Sequence, residues 1–588
     1  MKNIFNVRGF IFTAAFLLVM CYLTGCSKPQ NMNEQGSTAD LSAGDNENKA
    51  AGGLNSGEPA NAGELKEGIA FTVEKGFYSD SIEVEIITDK PGRIYYTTDG
   101  SDVDISRNPY EQPIKLKSGG VVKATCLKAK AYFDDGTESD TIVHTYFVGP
   151  NADTRFDTLV FSVTTDPYNL YDYEYGIFVE GKLRDDFLDE NPGVMPDPDD
   201  PANFNMRGRE SERPVYLEVF EPDGTPVISQ AAGIRTFGGW SRARTQKSFK
   251  IFARKEYDEV NNKLRYEFFP DRTEADGDVV GTFKQLVVRN CGNDNGFGFI
   301  RDELFQTLAG QAGYQDYEAV RPAAVYVNGD YRGFFWLHEV YCDEYFEDHY
   351  GKYDGTFEVI EGGDNYKNYD ANGDNAPIVD EYNEFYRTYA YQDLTIDSNY
   401  RKVCEVIDVE NYLEYFALGA YIGNEDWPHN NYKAYRYYAA EGESYGKAPF
   451  DGKWRYLLHD LDFSFGIYGT VPDTNFLARY IGAGGEIMDS CPLFGQLMRR
   501  EDCKQIFVKK TLELIDGAFS PSNLNRVLDE MNAARMNELK NTYNKGLLDD
   551  WVTFGQLAGR IEDIKNWGRD RAAFIPDSYS DYLGIDPD

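Results

Sequence analysis

Positive charge is scarce in this sequence. Lys and Arg together number 59 against 98 Asp and Glu, which gives a net charge of −39 over 588 residues. General binding to nucleic acid or to an anionic lipid surface needs a positive face, so the composition excludes both as the main activity. Any chemistry on phosphate groups must therefore occur at a local exception to the overall charge. With 41% hydrophobic residues, the chain is too apolar to be disordered throughout, and it is too long for one ordinary domain.

Metal-binding patterns of cysteine and histidine are scarce as well. The chain has eight Cys and five His, and no CxxC pair occurs. We therefore expect no structural zinc site. Buried thiols are the favoured interpretation of the six cysteines after residue 26, and a disulfide between Cys491 and Cys503 is the alternative.

The first 26 residues have the pattern of a secretory signal peptide. Lys2 and Arg8 precede an apolar run that ends in Leu23-Thr24-Gly25-Cys26. A membrane-spanning helix is disfavoured because the run is short and interrupted by polar residues. The ending resembles a bacterial lipobox, which implies lipidation of Cys26 and an extracytoplasmic lipoprotein, at the cell surface or in a spore envelope, that meets the membrane only through its lipid. Residues 27–66 are rich in Gly, Asn and Ser, which predicts a flexible linker.

Residues 67–150 consist of short segments of alternating polarity between turn signals. This pattern predicts a small antiparallel β-sandwich. The stretch IYYTTDGS at residues 94–101, followed by an aliphatic strand and Lys123-Ala124, resembles the small β domain at the C-terminus of chitobiases and hexosaminidases. Stacking of Tyr95 and Tyr96 on a glycan is one interpretation, but cross-strand packing is the favoured one.

Residues 155–580 have strand-like segments first and helical patterns later. This order predicts an α+β body with a β-rich first lobe and a helical second lobe.

One window departs from the acidity of the chain. Residues 224–255 contain no Asp or Glu, although the chain average would put about five there, and they contain seven basic residues. The turn carries Gly238, Gly239 and Arg242, and the sequence after it, with Lys247 and Lys250, predicts a strand. Glycines that let backbone amides approach phosphate, followed by a Lys, suit a nucleotide site. A basic strand edge that discourages edge pairing is the alternative.

Two acidic segments could supply the remaining groups of a phosphoryl-transfer site. In Asn424-Glu425-Asp426-Trp427-Pro428-His429-Asn430-Asn431, an Asp precedes an Asn by five residues in a polar loop after a helix. Such a pair can orient an attacking hydroxyl and ligate a metal, and a helix-capping loop rich in Asx residues is the alternative. Further on, Asp460 and Asp462 follow an apolar strand at a spacing that puts both on one face, as Mg²⁺ or Mn²⁺ would require.

Five segments in one order resemble the CotH (spore coat protein H) kinase family. They read GIRTFGGWSRARTQKSFKIFAR, LVVRNCGNDNGFGFIRDELFQTLAG, RPAAVYVNGDYRGFFWLHEVY, NEDWPHNNY and WRYLLHDLDFSFG. The resemblance implies an atypical protein-kinase-like bilobal fold. It also implies that ATP and a divalent metal serve to phosphorylate Ser or Thr in a protein substrate, such as a spore-coat or cell-surface protein.

The resemblance assigns roles on both sides of the expected cleft. Asp426 is implied as the catalytic residue, Asn431 and Asp460 as metal ligands, and Asp462 as a neighbour of the metal. Lys247 matches the family's phosphate-binding Lys better, with Lys250 as the alternative because only one of them can face the cleft.

From the basic turn itself, we also expect cofactor contacts by Gly238, Gly239 and Arg242. Glu339 is expected where the chain crosses between the lobes and meets the adenine. Arg301 and Asp302 match a family pair without an assigned role, and Asp302 or Glu303 is a candidate acidic partner for the Lys.

A different class of function stays open at this point. ATP is scarce outside the cytoplasm, so a family member without catalysis, acting as a surface scaffold or adhesin, is the alternative. The hexosaminidase-like module adds the interpretation of a carbohydrate-associated binding protein.

Overall fold

The computed structural model describes residues 68–363, 369–370, 377–482 and 491–585. The expected signal peptide with Cys26 and the expected linker lie outside the described residues. Within these ranges, no helix combines the length and the apolar character needed to cross a membrane. Cys503 is a thiol that contacts the Tyr400 hydroxyl at 3.7 Å, so the alternative of a Cys491–Cys503 disulfide is not realised.

The N-terminal part of the described chain is a β-rich domain of nine short strands. They are β1 Ile69–Phe71, β2 Gly76–Tyr78, β3 Ile82–Val84, β4 Ile86–Thr88, β5 Gly92–Thr97, β6 Asn108–Pro109, β7 Ile114–Leu116, β8 Lys123–Phe133 and β9 Ile142–Val148. A five-stranded sheet in the order β2-β9-β8-β5-β6 packs against the pairs β1-β4 and β3-β7. Tyr96 packs against the core between them, and the ring of Tyr95 contacts that of Tyr132, as the packing interpretation predicts.

A closed seven-stranded barrel follows. Its strands are β10 Leu159–Thr164, β11 Arg213–Phe220, β12 Pro226–Thr236, β13 Phe249–Phe252, β16 Gln285–Arg289, β17 Val320–Val327 and β18 Asp330–His338. The order around the barrel is β10-β11-β12-β13-β16-β18-β17, closed by a parallel pairing of β10 with β17. Alternate residues, such as Ile234, Ile251, Val288 and Leu337, fill the interior. Their neighbours in sequence therefore point outwards.

The remaining elements of the described residues are helices, a four-stranded sheet and a separate two-stranded pair. The helices are α1 Pro167–Tyr171, α2 Gly181–Glu190, α3 Arg301–Gln311, α4 Asp343–Tyr350, α5 Pro377–Tyr389, α6 Asp397–Val406, α7 Val409–Ile422, α8 Phe476–Ile481, α9 Pro492–Leu497, α10 Glu501–Asp516, α11 Pro521–Asn544 and α12 Phe554–Leu583. The remaining strands are β14 Leu264–Arg265 and β15 Thr282–Phe283, which pair with each other, and β19 Thr356–Gly362, β20 Tyr369–Asp370, β21 Tyr432–Tyr438 and β22 Arg455–Leu457, which form the four-stranded sheet. A mixed α+β fold with helices mainly late in the chain is what the sequence predicts.

The β-rich domain is packed directly on the barrel. The ring of Phe147 on β9 lies 5.6 Å from that of Phe220 on β11 and 5.0 Å from that of Tyr326 on β17. Beside these rings, the fully buried Glu218 accepts a hydrogen bond from Thr145 at 2.5 Å and pairs with Lys75 at 3.0 Å. An apolar cluster and a buried charge pair thus join the two parts.

Candidate active site

A row of side chains crosses the outer surface of the barrel. Arg235 on β12 lies opposite Lys250 on β13, Lys250 opposite Val287 on β16, and Val287 opposite His338 on β18. The flanking Ile234, Ile251 and Leu337 belong to the barrel interior, so this row faces outwards. Because β13 is paired on both sides, its lysine cannot serve to protect a strand edge, which removes that alternative.

Lys250 is held in an environment that disfavours its charge. Burial, and then the charges of Arg235 and Lys433, lower its pKa to about 8. Lys433 on β21 pairs with Glu361 at 3.1 Å, whereas no carboxylate of the described residues lies within ion-pair distance of Lys250. A half-buried lysine without an acidic partner suits contact with an anionic ligand.

Lys247 occupies a different environment. The strand begins at Phe249, so Lys247 lies before it and not within it, contrary to the sequence prediction. Its ammonium donates to the carbonyl of Arg242 at 2.7 Å and lies 4.2 Å from the ring centre of Phe204. Of the two lysines, the geometry therefore favours Lys250 for the cleft.

The glycine turn is longer than the expected hairpin. Gly238 has φ 109°, a left-handed conformation that favours glycine, and a short 3₁₀ helix, Trp240–Ala243, follows Gly239. Arg242 is buried and donates to the carbonyls of Gly238 at 2.5 Å and Met206 at 3.0 Å. Through these hydrogen bonds, Arg242 stabilises the turn.

The carboxylate of Glu339 is already engaged. It accepts from Arg272 at 3.1 Å and pairs with His349 at 2.7 Å, and it is buried. Burial opposes its ionisation, but the charges of His349 and Arg272 outweigh burial and lower its pKa. Both carboxylate oxygens of Glu339 thus belong to a buried ion cluster, and the expected position of this residue beside the adenine stays a prediction.

The Asp426 loop follows α7, as the sequence predicts. The helix ends at Ile422, and Gly423 after it adopts the left-handed conformation. Asp426 Oδ2 accepts hydrogen bonds from the side-chain amides of Asn430 and Asn431, both at 3.0 Å, and the nearest ring nitrogen of His429 is 3.6 Å from Oδ1. Burial, assisted by the charge of Asp460, raises the pKa of Asp426 to about 6.

Asp460 and Asp462 meet around one arginine. Strand β22 ends at Leu457, so a loop, and not a strand, brings the two carboxylates together. Arg289 on β16 pairs with Asp460 and lies 3.6 Å from Asp462, and its other terminal nitrogen is 2.8 Å from Asp302 on α3. Arg289 was not predicted. It lies in the segment LVVRN at residues 286–290, but the acids that it pairs with are far away in the sequence.

The two aspartates differ in accessibility. The side chain of Asp460 is 28% exposed and that of Asp462 is 1% exposed. The backbone and side-chain amides of Asn293 donate to Asp462 at 2.7 Å and 3.3 Å. Asp460 is thus the carboxylate that a ligand can reach. Asp462 is buried, and its hydrogen bonds to Asn293 hold the loop in place.

These loops connect to each other and to the barrel. Asn424 donates to the backbone carbonyl of Asp460 at 3.4 Å and accepts from the amide of Asp426 at 3.0 Å. Glu318 lies between His338 at 3.1 Å and His459 at 3.0 Å, which ties the row on the barrel to the residue before Asp460. Sequence reasoning also missed Glu318, for which no local pattern exists.

Backbone conformation is unusual at two of these residues. Asn431 has φ 54° and Asp460 has φ 51°, in the left-handed region that side chains other than glycine seldom adopt. Asn and Asp tolerate this region best, and such conformations concentrate at functional sites.

The donor set fits a hard divalent cation. Asp460 and Asp426 are close enough for the charge of one to raise the pKa of the other. The amide of Asn431 donates to Asp426, so its carbonyl oxygen is the atom suited to ligation. Carboxylate and amide oxygens are the ligands that Mg²⁺ and Mn²⁺ take. A second group of potential metal ligands lies within 4.8 Å and consists of Asp302, Glu303 and His338. His338 already lies 3.1 Å from both Glu303 and Glu318, so we interpret this group as an ion-pair network and not as a metal site.

Comparison with known proteins identifies two regions. A family model described as CotH kinase protein matches residues 234–575, and one described as chitobiase/beta-hexosaminidase C-terminal domain matches residues 73–142. None of the curated proteins matches the chain.

Proposed function

This chain belongs to the CotH kinase protein family, and from that premise we propose that it transfers the γ-phosphoryl group of ATP to Ser or Thr hydroxyls of a protein substrate. The barrel and the helical part then correspond to the two lobes of a kinase-like fold. The observation that carries the proposal is the meeting of Asp426, Asn431 and Asp460 in one hydrogen-bonded set, which is linked through Glu318 and His459 to the row containing Lys250.

The roles follow from the position and charge of each group. Lys250, which forms no ion pair with any acid of the described residues, contacts the phosphates. Asp426 accepts a hydrogen bond from the substrate hydroxyl, and the raised pKa of its carboxyl suits it to take up the proton as the oxygen attacks. Asn430 and Asn431 fix the rotamer of Asp426 by donating to its Oδ2.

Asp460 and Asn431 would hold Mg²⁺ or Mn²⁺. When bound, the metal supplies charge neutralisation for the transferred phosphoryl group. Asp462 and Arg289 position Asp460, since the loop that carries it is fixed by their ion pairs. Catalysis in such a site is mostly positioning and electrostatic stabilisation, so small displacements of Asp460 should be costly.

Phosphate transfer from labelled ATP tests the proposal. The purified protein is incubated with Mg²⁺ or Mn²⁺, and incorporation into itself or into a Ser/Thr-rich protein is measured. We expect Asp426→Asn and Asp460→Asn to lose nearly all transfer, and Asp134→Asn, an exposed site on the β-rich domain, to retain it. No transfer and no ATP binding by the parent protein would leave the alternative of a scaffold without catalysis.

A further inference from the structure

Arg235 and Lys250 form a directly opposed pair of positive charges. They are register partners on β12 and β13, and both point away from the barrel interior. Like charges directly opposite each other in a sheet are destabilising. A chain with 98 acidic residues could easily supply a neutralising partner. The pair therefore has a cost in stability that the fold itself does not require.

No carboxylate among the described residues pairs with either side chain. The guanidinium of Arg235 lies 5.0 Å from the ring centre of Phe252, and the ammonium of Lys250 lies 5.6 Å from that of Phe237. The acid whose charge acts most on Arg235, Glu212, is bonded by Arg254 at 2.9 Å and by Tyr257 at 3.0 Å. The two cations therefore lie beside aromatic rings, and Glu212, the neighbouring acid, is bonded to other residues.

A third cation is near. Arg207 is exposed, in the segment between α2 and β11, and makes no ion pair or hydrogen bond through its side chain within the described ranges. Its charge lowers the pKa of Arg235, after burial and the charge of Arg254, and also acts on Glu361 beside Lys433. Arg207 lies outside the residues that the family model matches.

We propose that Arg235 and Lys250 together bind two neighbouring phosphoryl groups of a nucleoside polyphosphate, with Arg207 at the mouth of the site as a third contact. The two cations, fixed side by side on adjacent strands, match the repeated charges of a polyphosphate better than a single anion. This inference deepens the proposed function, because it names the residues that would distinguish a triphosphate from a monophosphate.

Calorimetric titration with inorganic tripolyphosphate tests the proposal without nucleotide chemistry. Wild-type protein should bind it, and Arg235→Gln should weaken binding by roughly ten- to hundredfold, the range for a lost hydrogen bond to a charged group. Arg235→Lys keeps the charge and should retain most of the affinity. Arg93→Gln, which removes an exposed arginine from β5, should bind as the wild type does.

Thermal unfolding separates this role from a structural one. Removing Arg235 relieves its repulsion from Lys250, so Arg235→Gln should have an unchanged or higher melting temperature while its affinity falls. A lower melting temperature together with unchanged affinity would contradict the proposal. So would a wild-type protein that does not bind tripolyphosphate.

The same variants distinguish failure of this inference from failure of the proposed kinase activity. Tripolyphosphate binding that depends on Arg235, in a protein that transfers no phosphate, would support the polyphosphate site and refute the kinase. Phosphate transfer by Arg235→Gln with an unchanged KM for ATP would refute the polyphosphate site and leave the kinase intact.

Discussion

The guanidinium of Arg289 lies 2.8 Å from one carboxylate oxygen of Asp302, and the other oxygen accepts a hydrogen bond from the backbone amide of Leu461, between Asp460 and Asp462, at 3.1 Å. The ion pair holds Arg289 in place while its second terminal nitrogen pairs with Asp460 and approaches Asp462. One buried cation thus organises three acids from two separate parts of the chain.

Replacing Arg289 by Met should strongly destabilise the protein. Removal of one partner from a buried ion network leaves charges without a counterion, which costs about 3–5 kcal/mol. The unfolding free energy of Arg289→Lys should lie between those of Arg289→Met and the wild type, because an ammonium keeps the charge but cannot make the forked contacts of a guanidinium. Urea unfolding measures the difference. A change in unfolding free energy below about 0.5 kcal/mol for Arg289→Met would contradict this role.

The two lysines of the basic window should behave differently. Lys250→Met should raise the KM for ATP at least about tenfold, because it removes the cation expected at the phosphates. Lys247→Met should leave the KM for ATP nearly unchanged, since its ammonium is bound to the Arg242 carbonyl. Steady-state kinetics on both variants decides between them. The reverse result would restore the assignment that the sequence favours.

Polyphosphate affinity should fall as the pH rises above about 8. The pKa of Lys250 is lowered from 10.5 to about 8 in the folded protein, so the ligand-free site loses its proton in this range and the ligand must restore it. Titrations between about pH 7 and 9.5, in buffers of different ionisation enthalpy, should show proton uptake at the upper end.

The control for this pH effect is Lys247, whose pKa burial also lowers to about 8. The pH dependence should disappear in Lys250→Met and persist in Lys247→Met. The stability of the folded protein should depend on this group in the opposite direction: it should rise with pH where the affinity for polyphosphate falls. Between about pH 8 and 10.5 the unfolded chain holds the Lys250 proton that the folded protein has lost, so the contribution of this group to stability rises with pH.

Phe147→Ala should destabilise the whole protein and not only the β-rich domain. The ring lies in the cluster shared with the barrel, and removal of a buried phenylalanine costs about 3–5 kcal/mol. Tyr95→Ala is the control, since its ring contacts Tyr132 within the β-rich domain. Calorimetry should show a lower transition temperature for the barrel in Phe147→Ala alone. An unchanged barrel transition would mean that the two parts unfold independently.

Glu339→Gln should affect stability more than nucleotide affinity. The change weakens a buried cluster with Arg272 and His349, so the melting temperature should fall. The KM for ATP should change less than about threefold, because both oxygens of Glu339 are already bonded inside the protein. A large rise in KM with an unchanged melting temperature would support a direct contact of the Glu339 side chain with adenine.

Local patterns in the sequence predict part of this site. The arrangement of Asp426 and Asn431 is contained in six residues of one loop, and helix α7 before it is strongly apolar, so both could be anticipated. The α+β order of the elements follows from periodicity for the same reason. The family resemblance joins these segments in one order, which periodicity alone could not do.

Other parts depend on contacts between distant segments. Arg289 and Asp460 are 171 residues apart, and nothing near either residue signals the other. The prediction that Lys247 lies within a strand was wrong, because the strand starts two residues later and the alternation of polarity in the segment does not show where the strand begins. The contact of Phe147 with the barrel could not be predicted, because the alternation of a strand does not show which part of the protein covers the second face of its sheet.

The closure of the barrel also bears on the entropy of ligand binding. A strand at a free edge can slip or fray, but β13 is bonded on both sides and every strand of the ring has two neighbours. Slipping β13 by one residue would turn Lys250 into the apolar interior, so its register is locked against β12 and β16. The distance between the backbones carrying Arg235 and Lys250 is thereby set when the protein folds, and only side-chain torsions remain to be ordered when an anion arrives.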